Sequence, residues 1–207
     1  MDERLLKTGI DVVGDVSWGT HICAFYRSRQ DLIDILVPYF KLGLRNNEFC
    51  FWAVSNPLTV DSAKKVLTRQ VHDLNVYLNR QQLQIVDAKD WYAPKGSFDA
   101  EGVLQKWIEK EKFVLEKGFT GLRVAANIFA FKKEDWKKIS YYESKVNETI
   151  TRYRAIAICA YPVDRLMISQ ILETGASHQF IISRQKKKWS ILKSAVYEDL
   201  QEEISNI

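Results

Sequence analysis

The chain has 207 residues, 46% of them hydrophobic and 27% charged. That is ordinary globular composition with enough length to bury a substantial core, and it excludes a disordered chain. The net charge of +4 arises from 30 basic and 26 acidic residues, too small an excess to imply direct nucleic-acid binding. No apolar run approaches the roughly 20 residues of a membrane span, and the N-terminus carries no charged-then-apolar leader. Cys23, Cys50 and Cys159 are far apart and odd in number, so no disulfide framework or CxxC pair follows. Reduced, buried thiols in a cytoplasmic protein are expected.

In chain order, residues 20–26 read as a short apolar strand. Ser28 caps the next helix, with Asp31 in its first turn and Leu32, Ile35, Leu36, Tyr39 and Phe40 at helical spacing. Pro38 is expected to kink that helix, and Gly43 and Asn46-Asn47 to mark its end. Residues 48–55 form a nearly continuous apolar run, as in strands covered on both faces, and Asn56-Pro57 ends it. A helix follows to about Val71, then a short one over 73–80 and a third strand over 83–87. Asp99 caps a helix with Leu104, Trp107, Ile108, Val114 and Leu115 directed inward, closed by Gly118. The remaining elements are a strand over 121–129, a long helix over 133–153, a strand over 155–163, and a helix from Asp164 to Gly175. A hairpin over 178–183 and 188–192 is followed by a terminal helix within 193–207. That helix carries Val196, Leu200 and Ile204 four apart, packing in cis or on a partner chain.

Repeated strand–helix–strand units imply an α/β three-layer sandwich with a mostly parallel central sheet and a C-terminal antiparallel hairpin. No linker, repeat or low-complexity tract divides the chain. One domain over 1–207, with a core of about 15–192, is expected. Ligands in such sheets bind at the carboxyl ends of the strands.

The first strand-to-helix junction is where a phosphate loop would stand. It reads Tyr26-Arg27-Ser28-Arg29-Gln30, with neither the glycines that let amides close around a phosphate nor a lysine. Arg27 and Arg29 either meet an anion at the helix N-terminus or form a solvated basic turn. Residues 14–20 have Walker-like glycine spacing, but they lack the lysine and precede a strand instead of following one. Acid–base or nucleophilic catalysis needs convergent groups, and the chain has only His21, His72 and His178. No catalytic residue is assigned. His21 and Cys23 face one side of a strand. With Cys159 and His178 they could make a metal site. No local pair has zinc-motif spacing, and buried thiols packing as small hydrophobes is the simpler reading. Neither a metal nor a cofactor is therefore expected.

On the long helix, Glu143 and Asn147 share a face with Trp136, Ile139, Val146, Ile150 and Tyr153. A carboxylate on a core-facing stripe needs a partner. Arg123 is the nearest candidate in sequence, and an ion pair, a rim position and a ligand contact all stay open. Tyr26, Trp52, Trp91, Tyr92, Phe129 and Tyr161 fall at or just past strand ends, where several aromatics can line an apolar pocket.

Several blocks together resemble the MEDS domain, the sensory module named from methanogen and methylotroph proteins and the dichloromethane-responsive repressor. They are residues 17–23, 36–40 and 47–52, Trp91-Tyr92, 96–99, Gly121-Leu122-Arg123, Glu134-Asp135-Trp136, 142–148 and 159–164. The resemblance spans about 15–192. It implies a non-catalytic signal-input domain for a simple hydrocarbon derivative or similar metabolite. Output would pass through a histidine kinase or regulator in trans, since no output domain is recognisable, and a homodimer is open. The element order also resembles RecA/KaiC-type ATPases, with Asn127 where the metal-binding acid of the Walker B strand would stand. By that analogy the sheet order is 3-2-4-5-1-6-7. A degenerate nucleotide-binding or protein-interaction scaffold without hydrolysis is the alternative. The ligand-contacting candidates are His21, Cys23, Tyr26, Trp52, Trp91, Arg123, Asn127, Glu143 and Tyr161.

Overall fold

Residues 5–127, 135–185 and 188–193 are described by a computed structural model of the chain. A short antiparallel ribbon, β1 (Leu6–Lys7) and β2 (Asp15–Val16), precedes the main sheet. The strands of that sheet are β3 (His21–Tyr26), β4 (Phe49–Val54), β5 (Leu83–Asp87), β6 (Leu122–Asn127), β7 (Ala155–Pro162), β8 (Phe180–Gln185) and β9 (Lys188–Lys193). The helices are α1 (Arg29–Arg45), α2 (Val60–Gln70), α3 (Leu74–Asn79), α4 (Ala88–Tyr92), α5 (Ala100–Glu116), α6 (Trp136–Thr149) and α7 (Ile168–Ala176).

The sheet runs β5-β4-β6-β7-β3-β8-β9. Counted from β3, this is the order 3-2-4-5-1-6-7 that the resemblance to RecA/KaiC-type ATPases implies. All pairs are parallel except β8–β9, which closes the sheet as an antiparallel hairpin. Every residue of β3, β4 and β6 is buried, as in strands covered by helices on both faces.

Alternation splits each strand between two cores. Ile22, Ala24, Trp52 and Ile158 pack under α1 and α2. Cys23, Phe51, Ala126, Ala157 and Cys159 pack on the opposite face, under α4, α5 and α6. A capping box starts α1: Ser28 Oγ accepts from Asp31 N, and the Asp31 carboxylate accepts from Ser28 N. Asp99 caps α5 by accepting from Gly102 N.

The structure departs from the sequence reading in several places. Helix α1 spans both Pro38 and Gly43, so Gly43 does not mark its end. A Cβ on Gly43 would sit 2.4 Å from Arg123 Cδ, so the glycine makes room for a neighbour and does not end the helix. Val114 is buried as expected, but Ile108 is exposed and Val103 is buried in its place. The long helix ends at Thr149 and passes into a 3-10 turn, Ile150–Arg152, before Tyr153. Helix α4 and the ribbon β1–β2 leave no periodic pattern in the sequence: one is a single turn and the other is two residues per strand. The first residues of the long helix, Phe129 and the terminal helix lie outside the described residues.

Candidate functional site

The residues proposed at the strand ends do not gather on one rim. Tyr26 and Asn127 do stand at carboxyl ends, where the Tyr26 hydroxyl donates to Asn56 O at 3.3 Å. The Asn127 amide donates to Ser55 O, to Ser55 Oγ at 3.1 Å and to Asn56 O at 3.3 Å. The side chain at the Walker B position thus ties down the turn after β4. Trp52 is in the α1-side core against Phe40, ring centres 5.1 Å apart. Trp91, on α4, packs against Phe51 and Trp107.

At the junction of β3 and α1 the helix N-terminus is already filled by a carboxylate. Arg27 N and Ser28 N donate to Asp31 Oδ2 at 2.9 and 3.0 Å, and Arg184 reaches Asp31 Oδ1 at 2.9 Å. Burial would raise the Asp31 pKa, but these hydrogen bonds outweigh it and hold the carboxyl below its ordinary value. The Arg27 guanidinium pairs with Asp164, while Arg29 and Gln30 are exposed. The amides that would cradle a phosphate serve the protein's own anion.

Arg123 does not meet Glu143. It stands on the α1 side of the sheet, fully buried, in an ion pair with Glu48. The reason is register: Arg123 is the second residue of β6, and alternation turns it away from α6. All its donors are taken by protein groups, leaving none for a ligand.

Glu143 has other partners. Tyr161, on β7, donates its hydroxyl to Glu143 Oε1. Glu143 Oε2 lies 3.3 Å from His21 Nε2 and 3.6 Å from His178 Nε2. His21 Nε2 is 3.4 Å from Cys159 Sγ, and the two imidazoles stack with centres 3.9 Å apart. All these side chains are buried. The site joins the start of β3, the middle of β7, the inner face of α6 and the turn into β8. Three of the four residues weighed for a metal thus converge, with Glu143 in the place of Cys23. Cys23 sits beside Cys159 in the sheet register.

His178 Nδ1 is 2.6 Å from Thr174 O. A carbonyl only accepts, so Nδ1 carries the proton and Nε2 the lone pair. Burial, and then the neighbouring His21, lower the His178 pKa from 6.5 to about 3, so the ring is neutral. Burial would raise the Glu143 pKa, but the adjacent His21 ring and the Tyr161 hydroxyl hold it below its ordinary value. Burial, followed by the Glu143 charge, pushes the Cys159 thiol well above its ordinary range.

Beside this cluster lies a cavity of about 300 Å³ between the sheet and helices α5 and α6. Ala126, Ala155 and Ala157 form its floor, and Trp107, Tyr142 and Val146 its roof. His21 and Cys159 line its inner end, and exposed Glu101 and Gln105 stand on its solvent side. Small side chains on the strands create the space. Sequence reasoning passed over these alanines, although the alternation Ala155-Ile156-Ala157-Ile158 shows one strand with a large face and a small one.

The strand order, the helices on both faces and the closing hairpin define a RecA/KaiC-like α/β domain. The KaiC-like protein PH0186 of the hyperthermophilic archaeon Pyrococcus horikoshii OT3 superposes with a TM-score of 0.64 at 15% identity, over 93% of this chain and 89% of that one. The flagellar accessory protein FlaH of Methanocaldococcus jannaschii does so with a TM-score of 0.58 at 13% identity, over 90% and 83%. At such identities the likeness concerns the fold alone. A family model, MEDS: MEthanogen/methylotroph, DcmR Sensory domain, matches residues 20–179. The chain belongs to this family of sensory domains. No curated protein sequence matches the chain. None of the described helices is long and apolar enough to cross a membrane.

Proposed function

We propose that the chain is a non-catalytic signal-input domain that takes up a small hydrocarbon derivative, or a metabolite of similar character, in the cavity under α5 and α6. One observation carries the reading. An apolar space of about 300 Å³, at the small end of the range for small-molecule sites, ends on the buried side chains of His21 and Cys159. His21 Nδ1 is buried without a hydrogen-bond partner, which supplies a polar anchor at the end of an apolar slot. The membership in a sensory family agrees with this use. The whole chain acts as one domain, and its output passes to a histidine kinase or regulator in trans. A cytoplasmic setting suits three buried, free cysteines.

The alternative of a nucleotide-binding scaffold draws on the KaiC-like fold. Against it stands Asp31, which occupies the helix N-terminus that would receive a phosphate.

The test is a melting-temperature screen of small halogenated and oxygenated hydrocarbons, run beside calorimetry with ATP and ADP. A ligand at about 100 times its Kd stabilises the fold by about 2.7 kcal/mol, a readily visible shift. A positive shift with a hydrocarbon derivative and no heat with nucleotide supports the sensor. Micromolar ATP binding together with a silent hydrocarbon screen overturns it.

A further inference from the structure

The cluster beside the cavity contains a chemical mismatch. His178 Nε2 carries a lone pair, fixed by the bond from Nδ1–H to Thr174 O. It faces Glu143 Oε2, also a lone-pair atom, at 3.6 Å. Both atoms are fully buried and neither makes a well-aligned hydrogen bond, although His21 Nε2 lies 3.3 Å from Glu143 Oε2. Two acceptors aimed at each other in a dry interior are costly unless something positive sits between them.

The surrounding atoms have the arrangement a cation requires. One donor atom from each of His21, Glu143, Cys159 and His178 can be chosen so that all lie within 4.8 Å of one another. Three of the separations are 3.3, 3.4 and 3.6 Å. A tetrahedral zinc with bonds of about 2.0–2.3 Å holds its ligand atoms about 3.3–3.7 Å apart. The outer contacts also match those of metal sites: the non-ligating nitrogen of His178 donates to a carbonyl, and Tyr161 donates to the other Glu143 oxygen. A thiolate and a carboxylate beside two neutral imidazoles would cancel a divalent charge, leaving a neutral unit suited to burial. The cavity, which His21 and Cys159 line, gives an ion a way in.

We propose that His21, Glu143, Cys159 and His178 form a closed, four-coordinate site for one divalent transition-metal ion of the zinc class. The mixed nitrogen, sulfur and oxygen set excludes magnesium and calcium, which take oxygen shells. The ion ties α6 to β3, β7 and the turn into β8. Bound at Nε2, it leaves the His21 proton on Nδ1. This inference does not rest on the ligand-sensing reading.

The test uses the full chain, stripped with a chelator and reconstituted with zinc or cobalt(II). One equivalent of metal per chain is expected. The cobalt form should show tetrahedral visible bands and a thiolate charge-transfer band, and X-ray absorption of the zinc form should show one sulfur and three nitrogen or oxygen neighbours. Glu143→Gln, Cys159→Ser and His178→Gln should each weaken zinc binding at least about tenfold. Cys23→Ser and Cys50→Ser should retain it. Only trace metal on the reconstituted wild type overturns the proposal, as does a shell without sulfur, or equal affinity in all three ligand variants. If the ligand variants do not fold, the absorption shell of the wild type decides alone. A metal-replete chain that ignores every hydrocarbon would count against the sensor and leave the metal site standing.

Discussion

Arg123 and Glu48 form a fully buried ion pair that joins β6 to the residue before β4. The pair is satisfied on every side. Besides two bonds to Glu48, the guanidinium donates to Thr8 O at 3.0 Å, Tyr39 O at 3.1 Å and Lys7 O at 3.1 Å, and it lies 4.5 Å from the Tyr39 ring centre. It therefore fastens the N-terminal ribbon and α1 to the sheet. Arg123→Met removes the cation and leaves the Glu48 carboxylate buried and alone. A loss of about 3–5 kcal/mol is expected in urea denaturation. Changing both residues to apolar ones of similar volume should cost much less, because no unpaired charge remains. Equal costs for the single and double variants would show that the pair is not what holds these elements.

The same arginine sets the sign of a helix substitution. In an exposed helix interior, Gly→Ala gains up to about 1 kcal/mol. At Gly43 the added carbon would stand 2.4 Å from Arg123 Cδ, 2.5 Å from Nε and 2.9 Å from Cys50 Sγ. The guanidinium is held by its five bonds and has nowhere to move. Gly43→Ala is therefore expected to lower stability by about 1–3 kcal/mol, the range for overpacked cores. A melting temperature equal to or above that of the wild type would contradict this.

These two residues also mark where the sequence could and could not be read. The strand–helix alternation was legible because runs such as Phe49-Cys50-Phe51-Trp52 are apolar throughout and Ser28 and Asp99 are strong caps. Strand order followed from the resemblance, and β5-β4-β6-β7-β3-β8-β9 agrees with it. Side-chain partners were not legible, because they depend on register between strands distant in sequence. Glu143 was visible as an anomaly on an apolar stripe. Its partners come from His21, Tyr161 and His178, and only β3, β7 and β8 lying side by side brings them together. Arg123 was equally visible, and alternation places it on the far side of the sheet from Glu143.

Asp31 should govern part of the acid stability. Its folded pKa lies below its ordinary value, so the unfolded state binds the proton more readily. The stabilisation is present above the unfolded pKa of about 3.9 and is lost as pH falls through the folded value. Asp31→Ala also removes the capping box and the contact with Arg184, at an expected cost near neutral pH of about 1–2 kcal/mol. The gap between wild type and variant should narrow below pH ~4 in denaturation at stepped pH. A gap that persists unchanged into strong acid would assign the effect to packing and not to the carboxylate.

The cavity under α5 and α6 exists because β7 presents Ala155 and Ala157 to it, and β6 presents Ala126. Ala157 is buried and pairs in register with His21, so a larger side chain there projects into the space beside that ring. Ala157→Leu should fill it with a stability change between neutral and a gain of about 1 kcal/mol, as for other cavity-filling substitutions. Benzene, an apolar probe small enough for this space, should raise the melting temperature of the wild type and leave that of Ala157→Leu unchanged. If the variant instead loses about 1–3 kcal/mol, as an overpacked core does, the floor of the cavity is already close-packed and cannot admit a ligand.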